Sequence, residues 1–108
     1  MNDKNALQPS LGTTLKLLVS ADLGEGVHLE DVDFFCVFFR YGINAGQTVN
    51  KSEMSKVSQD EYIAVVDTKT IGTGEYYMRL TAYIPDTDVN SGIRTEVVVV
   101  PTGIRVTN

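Results

Sequence analysis

Apolar and polar side chains alternate one by one along much of this chain. Leu15, Leu17 and Val19 alternate with Lys16, Leu18 and Ser20, the period of an extended strand. Tyr62, Ala64 and Val66 alternate with Ile63 and Val65, and that run stops at Asp67. The alternation is cleanest in EYYMRLTAYI, residues 75–84. There Tyr76, Met78, Leu80, Ala82 and Ile84 are expected to face a core, and Glu75, Tyr77, Arg79, Thr81 and Tyr83 to face outward. RTEVVVV, followed past Pro101 by GIRV, gives a last strand or its continuation. Pro101 has no N–H for a ladder, so it marks a bulge, a break or an edge.

Turn chemistry separates these runs. ADLGEGVHLED carries two glycines and four acids and reads as a loop, as does GINAGQ. DTKTIGTG reads as a turn in which Gly72 and Gly74 are free to take positive φ. The polar stretch TVNKSEMSKVSQDE predicts short edge strands and turns, with a single helical turn over Lys51 to Lys56 as the alternative. No run of ten residues has helical spacing. The pattern therefore predicts an all-β fold: an antiparallel, immunoglobulin-like sandwich of about seven strands. Residues 1–11 read as a flexible N-terminal arm and 12–108 as the sandwich domain.

One strand breaks the rule of one apolar face. In VDFFCVFFRY, residues 32–41, Val32, Phe34, Cys36 and Phe38 point one way, and Phe35, Val37, Phe39 and Tyr41 the other. Two apolar faces predict cover on both sides. In a two-layer sandwich only one face meets the core, which leaves two readings open. A loop or the N-terminal arm folds over the second face, or that face is a protein–protein interface. The outward Tyr77 and Tyr83 would join it, so the candidate interface is Phe35, Val37, Phe39, Tyr77 and Tyr83.

At 108 residues the chain makes one domain, able to form a core without a metal or disulfide staple. Its net charge of -5 argues against a nucleic-acid backbone as partner. No run is long and apolar enough for membrane insertion. No cationic stretch followed by an apolar one opens the chain, so a signal peptide is not expected. Cys36, the single cysteine, sits among aromatic residues and reads as a small buried hydrophobe rather than a nucleophile.

Sites with chemistry are few. Asp86, Asp88 and Asn90 are spaced like the start of a calcium loop. The glycine arrives one residue late, at Gly92, the acid one early, at Glu96, and strands rather than helices flank the stretch. An ordinary turn accounts for every residue in it. Gly72-Thr73-Gly74 feeds a strand, where a phosphate cradle would feed a helix, so a hairpin turn or bulge is expected. His28, the single histidine, has Glu25, Glu30 and Asp31 near it in a flexible-looking loop, with no second histidine or cysteine pair to suggest a metal. The expectation is a protein without cofactor, metal or catalytic residues, and not an enzyme.

The order of segments also carries a resemblance. TTLKLLV after a glycine, LEDVDFFCVFF, KSEM, DEYIAVVDT, IGTGEYYMRLTAYIPD and SGIRTEVV together resemble small β-sandwich proteins encoded by phages and prophages of gut Bacteroidales. More distantly, they resemble the immunoglobulin-like N-terminal domain of phage baseplate upper proteins. The resemblance spans about Gly12 to Val106 and rests on strands and turns. It implies a virion structural or adaptor subunit, made in the bacterial cytoplasm and assembled with other particle proteins and with itself. The alternative is a surface-binding module that recognises a glycan or host protein through the loops Asp22 to Asp31 and Asp86 to Gly92.

Overall fold

The computed structural model describes residues 8–42 and 46–108. Most of the arm expected at the start, and part of the GINAGQ loop, lie outside the described residues. The strands are β1 (Thr14–Ser20), β2 (Asp33–Phe39), β3 (Gly46–Asn50), β4 (Ser55–Ser58), β5 (Glu61–Asp67), β6 (Gly74–Pro85) and β7 (Ile93–Val106). A one-turn helix, α1 (Thr68–Ile71), joins β5 to β6. The strands form two antiparallel sheets, one of order β1-β5-β4 and one of order β3-β2-β6-β7. The chain passes between sheets after β1, β3 and β5. This is the connectivity of an immunoglobulin-like sandwich in which β1 takes the second strand's place.

The core lies where the alternation put it. Val19 of β1, Tyr62, Ala64 and Val66 of β5, and Tyr76, Met78, Leu80, Ala82 and Ile84 of β6 are all buried. Phe34, Cys36 and Phe38 of β2 fill the middle, with the Phe34 ring edge-on to Tyr62 at 5.2 Å. The polar stretch TVNKSEMSKVSQDE runs from the end of β3 through a 3-10 turn at Lys51–Glu53 into the short strand β4, so the helical turn read as the alternative over Lys51 to Lys56 covers only its first three residues. Glu53 caps that turn by accepting the Asn50 backbone N–H at 2.9 Å. Among the described residues β7 is an edge strand; it continues through Pro101, with a bulge opposite Glu75 to Tyr77.

Three polar side chains clamp the crossings. Tyr76 opens the buried face of β6, and its hydroxyl reaches back to the carbonyls of Gly72 at 2.5 Å and Thr68 at 3.3 Å. A tyrosine bonding backward at this corner is a hallmark of immunoglobulin-like sandwiches. Arg40, just past β2, gives Nε to the Ile71 carbonyl at 2.8 Å and Nη1 to the Thr73 carbonyl at 2.5 Å. Gly72, at φ 98°, lets the guanidinium approach, since a Cβ there would lie 2.8 Å from Nη2. The glycine pair thus ends a helical turn between sheets rather than forming the hairpin turn or bulge the sequence predicts. At the opposite end Lys51 Nζ donates to the carbonyls of Leu29, Glu30 and Val32 at 3.1, 2.9 and 2.7 Å.

Candidate functional site

The second apolar face of β2 forms the outside of the four-stranded sheet. Register sets Phe39 beside Tyr77, Val37 beside Arg79 and Phe35 beside Thr81. On the other flank of β6, Tyr77, Arg79 and Thr81 stand beside Pro101, Val99 and Val97 of β7. One face therefore gathers side chains from three strands.

The rings on it touch. Phe35 and Tyr83 have centroids 6.3 Å apart. Phe39, Tyr41 and Tyr77 form a triangle, with centroid separations of 5.2, 6.0 and 4.5 Å. The Arg79 guanidinium carbon lies 5.9 Å from the centre of the Phe39 ring. Tilted and edge-on rings with a cation over one face are favourable in themselves, which preorders the surface. Phe35, Val37, Phe39 and Tyr77 are half-buried among these neighbours, whereas Tyr41 is 65% exposed, Val97 54% and Tyr83 37%. The sequence predicts cover on both sides of β2. The second sheet supplies it on the inner side, and on the outer side only flanking side chains of the same face, rings and Arg79 among them, supply it among the described residues.

All five interface residues expected from sequence thus fall on one face. Sequence reasoning did not assign Val97 and Val99 to it. Their signal is the same as that of β2: VVVV is a run with no polar face. At the rim the Tyr77 hydroxyl donates to Glu75 at 3.1 Å, and this bond to a carboxylate holds its pKa above the ordinary tyrosine value. The face offers rings, branched aliphatics and one central cation, which suits it to burial against another protein surface.

The other candidates resolve into structural parts. Asp86 accepts the Asp88 backbone N–H at 2.9 Å and pairs with Arg94 Nε at 3.2 Å. Its own N–H bonds the Gly92 carbonyl at 2.9 Å, and Gly92 sits at φ 80°. These are the bonds of a strand-to-strand turn. His28 Nδ1 lies 3.0 Å from Asp60, an acid 32 residues away that local sequence did not suggest as its partner. This hydrogen bond raises the His28 pKa and lowers that of Asp60. The loop holding His28 contains a 3-10 turn at Leu29–Asp31, anchored by the buried Leu29. Burial pushes the Cys36 thiol up to about 12, the setting of an inert hydrophobe. No group of three or more metal-ligating side chains occurs among the described residues.

These observations define a class: an all-β, antiparallel, immunoglobulin-like sandwich carrying an aromatic sheet face. No protein-family model, curated protein or solved structure matches the chain.

Proposed function

We propose that this chain is a structural or adaptor subunit of a phage or prophage virion. It acts by protein–protein assembly, docking through the outer face of its four-stranded sheet on other virion proteins or on sister copies. The observation that carries the assembly part is that face. Rings and valines from β2, β6 and β7 stand toward solvent with no third layer of described residues over them. The resemblance of the segment order to phage β-sandwich proteins supports the virion part. Loop recognition of a glycan is less well supported, because neither Asp22 to Asp31 nor Asp86 to Gly92 contains a phenylalanine, tyrosine or tryptophan to stack on a sugar.

Sedimentation at rising concentration, alone and with particle proteins, tests the assembly. The wild type is expected to associate. Val97→Glu combined with Val99→Lys should abolish association while leaving the melting temperature within about 3 °C, because both side chains stand on the surface. A wild type that binds neither itself nor any particle protein would overturn the proposal. Gene neighbourhood tests the virion assignment: capsid, portal or tail genes are expected alongside, and exclusively metabolic neighbours would refute it.

A further inference from the structure

The aromatic sheet face carries two opposite charges that have no counter-ion of their own. Asp33 opens β2 beside Tyr83, and Arg79 stands on β6 beside Val37. Asp33 alternates in step with Phe35, Val37 and Phe39, so it belongs to the same face as Arg79. Both side chains are exposed. None of the ion pairs among the described residues includes either of them. Glu75, at the far end of the face, is already paired with Arg105 at 3.6 Å.

The two charges cannot serve each other within one chain. Asp33 is level with Tyr83, four residues along β6 from Arg79 and one strand over. That is about 14 Å along the strands and about 5 Å across, too far for a direct pair. Arg79 also leans the other way, onto the Phe39 ring. A twofold axis lying in the contact plane exchanges the two positions if it crosses the strands midway between them, at the Phe35–Thr81 pair. It then sets Asp33 of each copy against Arg79 of the other. The same axis lays Tyr83 over the strip between Val97 and Val99 of the second copy, because β7 flanks β6 on the side away from β2. The strands of the two copies stay roughly aligned, as in stacked sheets.

We propose that this face joins two copies of the chain across such a twofold axis, with Asp33 and Arg79 forming reciprocal ion pairs that set the register. This rests on the docking reading above and names a sister copy as the partner. Apolar burial holds the copies together, and the charges fix their orientation. A stack centred on Arg79 would instead oppose two cations. The interface is isologous, so it closes at two copies. The triangle of Phe39, Tyr41 and Tyr77 lies beyond the contact and stays open to another protein.

Sedimentation of charge-reversed full chains tests this. Asp33→Arg alone opposes two cations at each pair, and Arg79→Glu alone opposes two carboxylates. Each variant is expected to weaken the wild-type dimer about tenfold or more. An equimolar mixture of the two variants restores opposite charges at both pairs, as does the double variant in a single chain. Both should return to within about threefold of the wild-type affinity. Melting temperatures near the wild-type value will confirm folding, since both side chains are exposed. Reversals that leave the dimer intact, or a mixture no tighter than its components, would overturn the inference and leave the docking reading standing. So would a wild type that stays monomeric yet binds a particle protein through Val97 and Val99. A wild type that binds neither would overturn both.

Discussion

At the scale of single residues, alternation made the core legible and left its polar fastenings hidden. Tyr76 reads from sequence as one more inward aromatic. Its hydroxyl, bonded to Gly72 and Thr68, is visible only once the crossing from β5 to β6 is known. Tyr76→Phe keeps the ring and removes the hydroxyl, which takes the side-chain donor from the Gly72 carbonyl, while the Thr68 carbonyl keeps the Gly72 N–H at 2.7 Å. The expected loss is about 1–2 kcal/mol, read as a fall in melting temperature of about 5 °C or more. Lys51, Arg40 and Asp60 were illegible for the same reason, since each acts on backbone or side chains 19 or more residues away. The His28–Asp60 pair gives a pH signature. The folded pKa of His28 is raised above 6.5 by its hydrogen bond to Asp60, so its contribution is complete below 6.5 and fades as pH climbs through the raised value. Asp60 is lowered from 3.8, so its contribution is present above 3.8 and is lost as pH falls through the lowered value. Melting temperatures of wild type and His28→Gln should differ most between about pH 4 and 6.5 and converge at higher pH. A gap that widened above neutrality would contradict the pairing.

At the scale of elements, the strands were readable because each buried face repeats every second residue. α1 was not, because four residues are too few for helical spacing to show, and its composition is that of a turn. Of the three readings of Pro101, a bulge, a break or an edge, the structure places it on a terminal strand of its sheet beside a bulge and shows no break, but the sequence does not say which sheet it joins. Position in the sheets sets an order of protection. β5, β2 and β6 are flanked on both sides, whereas β4 is four residues long, lies at an edge and carries an irregular register. Amides of Ala64, Cys36 and Leu80 should therefore exchange with solvent deuterium far more slowly than those of Lys56 and Val57. Equal rates would mean that the two sheets open together.

At the scale of the whole molecule, the sequence announced an unusual outer face through FFCVFF but not its extent. The extent depends on which strands are neighbours, and β7 becomes the neighbour of β6 only through pairing. The net charge of -5 makes copies repel weakly, while the face that would join them is apolar. Added salt screens the repulsion and leaves apolar burial intact. Self-association is accordingly expected to hold or strengthen as sodium chloride rises from about 0.05 to 0.5 M, over which the Debye length shrinks severalfold. An assembly that dissolved with salt would instead point to Arg79, Glu75 and Arg105 as the contacts that matter.

The chain has five tyrosines and no tryptophan. Tyr62 and Tyr76 are sealed inside, while Tyr41, Tyr77 and Tyr83 stand on the aromatic sheet. Its ultraviolet emission is therefore divided between fluorophores that sense unfolding and fluorophores that sense whatever settles on the sheet. A binding partner free of both tryptophan and tyrosine could be titrated by that light alone, without attaching a dye.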